Sequence, residues 1–154
     1  MLCLVCVAAA GPVRGAEGLS LRVVEIAASV SEGGRSYDRR FSDELVAKLE
    51  NAGLAYNVYQ WKDSGSSRLT VNETAHLLGR VFVKLLPTSA ARPEHGRLDV
   101  SIRSELDPRQ EALHTQTFLK SGGSILFHIP SGSQPPSGTI FVLSLSGEVP
   151  PPPE

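Results

Sequence analysis

Apolar and polar positions alternate along most of the chain, and the places where the period changes divide it into elements. Leu19, Leu21 and Val23 alternate, and then Val24, Ile26, Ala28 and Val30 alternate on the opposite parity. Such a change of phase marks either a bulge or a strand buried on both faces. Ser31-Glu32-Gly33-Gly34 reads as a loop. Ser36 then caps a helix expected over Tyr37 to Ala52, along which Tyr37, Phe41, Leu45 and Leu49 recur every four residues. Asp38 sits in its first turn, Glu44 and Lys48 have the i,i+4 spacing of an ion pair, and Gly53 is a natural stop.

Beyond Gly53 the period is two. Ala55 to Trp61 is a short extended run with three aromatics, and Asp63-Ser64-Gly65-Ser66-Ser67 reads as a turn before a second run, Arg68 to Glu73. Val81, Val83 and Leu85 share one face of the next strand. Leu98, Val100 and Ile102 oppose Asp99, Ser101 and Arg103 in the cleanest half-buried strand of the chain. Glu111 to Leu119 alternates less regularly, Gly122-Gly123 separates it from Ser124 to Ile129, and Ser131 to Ser137 is a Pro/Gly/Ser loop. Phe141, Leu143 and Leu145 mark a last strand, followed by the proline-rich stretch 149–154. One helix after the first strand, then closely spaced strands, argues against a parallel α/β sheet. The expected fold is mainly β: an antiparallel β-sandwich or open barrel with one α-helix after the first strand.

The length of 154 residues suits a single β-rich domain, expected over 16–148. Ahead of it, Leu2 to Ala10 is apolar and Gly11-Pro12 breaks the run, with cleavage placed near Gly15. Residues 1–15 therefore read as a signal peptide, although no Lys or Arg precedes the apolar run. Cys3 and Cys6, the only cysteines, lie inside that leader, so a processed chain would hold no disulfide. Arg14 is the one charged residue of the leader, so its removal takes the 15 basic residues to 14 against 16 acidic ones. That balance gives no broad basic field for nucleic acid, and no apolar run is long enough to span a membrane.

No phosphate loop, zinc helix or nucleophile elbow is present in the sequence. Gly122-Gly123-Ser124 approaches the last of these but lacks the second glycine and opens a strand. The four histidines lack metal-pair spacing, so neither a metal nor another cofactor is expected. His114 and His128 flank Gly122-Gly123 and would face one another if their strands formed a hairpin. Glu25 lies in an apolar strand and is read as paired with a nearby arginine or as outward-facing. Arg22, Arg35, Arg39 and Arg40 form a basic cluster that Glu32, Asp38, Asp43 and Glu44 largely offset. Tyr59 and Trp61 share a parity and are the candidate ligand-binding residues, an aromatic pair suited to a sugar if exposed. Tyr56 has the opposite parity, so core packing accounts for at least one of the two faces. Asn72-Glu73-Thr74 matches a glycosylation acceptor.

Three segments carry a resemblance. They are Val23 to Ala28 with Asp38-Arg39-Arg40-Phe41, then Tyr56-Asn57-Val58-Tyr59-Gln60, then Lys120-Ser121-Gly122-Gly123 with Thr139 to Leu143. In these the chain resembles a poorly characterised group of secreted β-rich domains of myxobacteria and related bacteria. Its Pro130 to Ser137 segment is longer and richer in proline than the group's. The resemblance implies secretion and a mostly β fold, and carries no activity. The expectation is a non-enzymatic, extracytoplasmic module of the bacterial cell envelope that binds a protein partner through a sheet edge or loop. A carbohydrate-binding module using Tyr59 and Trp61 is the first alternative, and a hydrolase assembled from distant strands the second.

Overall fold

The computed structural model describes residues 18–153. The expected leader, with Cys3 and Cys6, lies outside the described residues. The elements are β1 (Leu19–Ser29), β2 (Ser36–Tyr37), α1 (Asp43–Asn51), β3 (Val58–Leu69), β4 (Thr74–Leu77), β5 (Val81–Leu86), β6 (His95–Arg103), β7 (Glu111–Lys120), β8 (Ser124–Pro130) and β9 (Ser137–Gly147). They form a five-stranded sheet in the order β2-β3-β1-β9-β8 and a four-stranded sheet in the order β4-β5-β6-β7. Every pairing is antiparallel except that of β2 with β3. The architecture is a sandwich of two open sheets, mainly β, with one helix after the first strand, as the alternation predicts.

β1 occupies the centre of the larger sheet and is buried on both faces. Leu19, Leu21 and Val23 point between the sheets, where they meet Val81, Val83 and Leu85 of β5, Leu98, Val100 and Ile102 of β6, and Phe141, Leu143 and Leu145 of β9. Val24, Ile26 and Ala28 point the other way, into a second core roofed by α1 through Leu49 and by Phe41, Tyr56 and Tyr59. Each such fully buried aliphatic or aromatic side chain stabilises the fold by about 1.5–3 kcal/mol. The change of phase in β1 is therefore two-faced burial. The bulge is on the partner strand, where Glu25 pairs with Asp63 and Ile26 with Trp61, leaving Lys62 as the extra residue.

That bulge supplies a partner for Glu25, which shares the inter-sheet parity and is only 5% exposed. Lys62 Nζ lies 3.2 Å and Arg80 Nη2 3.6 Å from its carboxylate. Glu105 joins the cluster at 3.1 Å from Lys62 and 3.8 Å from Arg80. The Arg80 guanidinium also lies over the Phe141 ring, 5.1 Å from its centroid. Of the two readings of Glu25 the paired one holds, with a lysine added to the arginine, and the outward-facing one does not. Buried charge is retained only when compensated in this way.

Several boundaries differ from the sequence expectation. The helix spans nine residues, capped by Ser42 in place of Ser36: Ser42 Oγ accepts from Leu45 N at 3.1 Å. Tyr37 continues the stripe in sequence only. It sits in β2, with its ring stacked on Tyr59 at 5.3 Å and 5°, and Asp38 N donates to Tyr59 O at 3.0 Å. These bonds hold residues 36–38 extended. Among the described residues no ion pair joins Glu44 to Lys48, which donates to the Ser124 carbonyl at 2.9 Å. Gly53 does stop the helix, at φ +68°.

The stretch Asp63 to Ser67 is not a turn but the middle of β3, hydrogen-bonded along β1. Its small residues serve packing: a Cβ on Gly65 would lie 3.3 Å from Leu78 Cδ2 and 3.5 Å from Leu77 Cδ2. The β7–β8 hairpin that would have set His114 opposite His128 is also absent. Gly122, at φ +86°, and Gly123 carry the chain from one sheet to the other, with Gly122 N donating to Leu145 O at 2.8 Å. The proline-rich segment begins tethered, since Val149 packs on the inter-sheet core and Thr88 Oγ1 donates to Pro150 O at 2.7 Å.

Two stability outcomes are expected. Arg80→Met leaves Glu25 with one cation and costs about 1–3 kcal/mol in urea denaturation. Glu25→Gln combined with Arg80→Met costs less than the sum of the two single changes; strict additivity would mean the two groups do not interact. Gly138→Ala places a Cβ 2.5 Å from Tyr56 Oη and 2.9 Å from Ile129 O. It loses about 1–3 kcal/mol, whereas Gly34→Ala, which meets nothing within 4 Å, changes stability by less than about 0.5 kcal/mol.

Candidate functional site

The two aromatic candidates share a face but not an environment. Tyr59 pairs with Ala28 and Trp61 with Ile26, so both rings point to the helix side of the larger sheet. Tyr59 is 3% exposed, stacked on Tyr37, edge-on to Tyr56, and donates its hydroxyl to Tyr56 O at 3.2 Å. Burial pushes its phenol above the ordinary value, with the neighbouring Tyr37 adding to the effect. It is a core residue and presents no open face to a ligand. Trp61 is half-buried, tilted against Phe41 at 6.1 Å. The guanidinium carbons of Arg22 and Arg40 lie 5.6 Å and 5.8 Å from its ring centroid.

Asp38 fixes this arrangement. Its Oδ1 accepts from Arg40 N and Nε, both at 3.0 Å, while its Oδ2 accepts from Arg40 Nη2 at 2.9 Å and from Trp61 N at 3.0 Å. Arg40 Nη2 also donates to Trp61 O at 3.2 Å. One carboxylate thereby ties the segment before α1 to β3 and holds Arg40 beside the indole. The hydrogen bonds from Arg40 hold the Asp38 carboxyl well below the usual carboxylate range, and they raise the Arg40 guanidinium in turn. The basic cluster read from sequence is thus partly neutralised, as expected, but through this one pair. Arg22 stands apart on β1, with the Trp61 ring as its contact.

Trp61, Arg22 and Arg40 line a cleft of about 310 Å³ along the flank of α1, opposite Lys48 and beside Ser124 and Ser144. The sequence gives little warning of it. Lys48, Ser124 and Arg22 are far apart in the chain, and only the strand order β3-β1-β9-β8 brings their positions together. Of the residues singled out from sequence, Trp61 and two members of the basic cluster, Arg22 and Arg40, do line it.

The histidines are dispersed. His128 Nε2 is 2.7 Å from Tyr56 Oη, and burial pushes its imidazole below the usual value. His76 packs edge-on against Phe82. His114 lies on the outer face of the smaller sheet, 3.0 Å from Asp99 and 3.3 Å from Glu111. Ser101 Oγ donates to that Glu111 at 2.9 Å and not to the imidazole, so the hydroxyl, acid and histidine are not in the order that activates a nucleophile. Since β7 and β8 belong to different sheets, His114 and His128 do not face each other. Among the described residues no group of three or more His, Cys, Asp or Glu is arranged to hold a metal, and no helix is long and apolar enough to cross a membrane.

A second surface is the free edge of the larger sheet. β8 pairs only with β9 and carries Ile125, Leu126, Phe127 and Ile129 in seven residues. The other sheet ends are blunted. β2 has two residues, β4 has four, and β7 carries Glu111, His114, Gln116 and Lys120. Short length and charge are the usual protections of an edge against pairing, and β8 lacks both.

No family model, curated protein or solved structure matches this chain.

The Asp38 clamp has a pH signature. A carboxyl with a depressed folded pKa makes its contribution in full above the ordinary carboxylate range. That contribution declines below this range, while the folded carboxylate itself takes up its proton only as acid passes through the lowered value. Trp61 fluorescence is therefore expected to stay constant through about pH 4 and to change in stronger acid. Asp38→Asn should show the acid-type spectrum already at neutral pH. A transition of the wild-type signal within the ordinary carboxylate range would show that Asp38 is not held this way.

Proposed function

We propose that the chain is a non-enzymatic, exported module of the bacterial cell envelope that binds a protein partner by strand addition at the β8 edge. The single observation that carries this reading is the β8 edge, which has no strand partner beyond β9 and is capped only at its ends, by Lys48 on the Ser124 carbonyl and by Pro130. Its outward main-chain N–H and C=O groups supply affinity for an extended segment, while the alternating side chains beside them supply selectivity. Ser124 and the strand-ending Pro130 bound a stretch of five residues that is apolar except for His128. Export rests on the apolar run Leu2 to Ala10 with its Gly11-Pro12 break, and on the resemblance to secreted β-rich domains.

Capture from an envelope extract with the chain as bait, followed by hydrogen exchange on the recovered complex, tests the reading. The expected outcome is one reproducible protein partner whose binding slows amide exchange across residues 124–130. A partner that protects another surface overturns strand addition at β8. Failure to recover any partner overturns the interaction reading itself.

A further inference from the structure

The helix-side face of the larger sheet changes character along its length. Cross-strand pairing puts Trp61, Ile26, Ile140 and His128 on one rung and Ser64, Val24, Val142 and Leu126 on the next. The rung after that is Ser66, Arg22, Ser144 and Ser124. The apolar rungs are roofed by α1 and the aromatics, and the polar rung opens into the cleft that Arg22, Ser124 and Ser144 line. Lys48 reaches the same cleft from the helix.

The donors on this rung are under-used. Arg22 has its cation–π contact with Trp61 and no carboxylate partner among the described residues. Lys48 spends one of its three N–H bonds on the Ser124 carbonyl. Arg40 is neutralised by Asp38, and the one acid on the cleft wall is Glu44. Arg22 and Lys48 therefore leave a local positive surplus on a chain whose formal net charge is −1. Val24, Leu45, Val142 and Trp61 give the same cleft an apolar side. Positioned cations with spare N–H bonds, set against apolar wall, make up the chemistry that grips a small organic anion.

We propose that this cleft binds a carboxylate or phosphate group of a small ligand. Arg22 and Lys48 hold the oxyanion, the Ser124 and Ser144 hydroxyls border it, and the ligand's body lies against Trp61. The proposal does not rest on strand addition at β8, although Ser124 belongs to both surfaces.

Trp61 is the only tryptophan of the chain and lines this cleft, so its fluorescence reports on a ligand bound there. The test titrates the full chain with inorganic phosphate, with D-glucuronate as a carboxylate on a ring, and with neutral D-glucose. The expected result is a saturable fluorescence change with at least one of the two anions and none with glucose. Response to phosphate alone assigns a phosphate ligand, and response to glucuronate alone assigns a carboxylate. Arg22→Gln and Lys48→Gln should each weaken the response by about tenfold, the loss of one charge-assisted hydrogen bond. Circular dichroism and thermal melting check that both variants remain folded. No saturable change with either anion, an equal change with glucose, or unaltered affinity in both folded variants would overturn the proposal.

Discussion

Strand β1 has apolar side chains on both of its faces and must be covered on both. Leu19, Leu21 and Val23 need one cover, and Val24, Ile26 and Ala28 need another. The smaller sheet supplies the first cover. The segment from Tyr37 through α1 and Tyr59 supplies the second. Removing either would leave a row of large side chains in water, at about 1.5–3 kcal/mol for each one. The order of the elements follows from this need. The helix comes immediately after β1 and returns over its even-numbered face, and the four-stranded sheet is laid over the odd-numbered face afterwards.

Glu25 is where that plan meets its limit. It occupies an inter-sheet position next in parity to Val23, yet it is a carboxylate. The fold accommodates it with an extra residue in the neighbouring strand, Lys62, and with Arg80 from the β4–β5 connection. Trp61 stands immediately before the bulge and so keeps its parity with Tyr59, on the helix side, while the residues after it resume the pairing. One irregularity in β3 thereby serves two surfaces. It neutralises a buried charge between the sheets, and it ends the aromatic roof beside the polar rung of Arg22.

Sequence patterning made the strands legible where side-chain burial and main-chain pairing coincide. Val81-Val83-Leu85, Leu98-Val100-Ile102 and Phe141-Leu143-Leu145 all alternate because one face meets the core and the other meets solvent or a second layer. It failed where composition and pairing disagree. Asp63 to Ser67 has the residues of a turn, but β1 pairs with every position except the bulge and draws the segment into a strand. Ser36 and Ser42 are both acceptable caps. The choice between them depends on Tyr37 stacking on Tyr59, a contact made across the fold. The cleft was hidden for the same reason: parity pointed to Trp61, but no local signal joins it to Lys48 or Ser124.

The pairing of β1 with β9 also governs when the molecule can be assembled. Leu19 to Ser29 lies beside Ser137 to Gly147 along its whole length, so the centre of the larger sheet is built from the two ends of the described chain. During synthesis β1 emerges well before its partner and waits, with two apolar faces and one edge unsatisfied, until Ser137 to Gly147 has appeared. Local hairpins such as β5–β6 can form meanwhile, but the sandwich cannot close. Topologies dominated by such distant pairings fold in about milliseconds to seconds. For this chain the unfinished intermediate, with its bare central strand, is the state most exposed to aggregation.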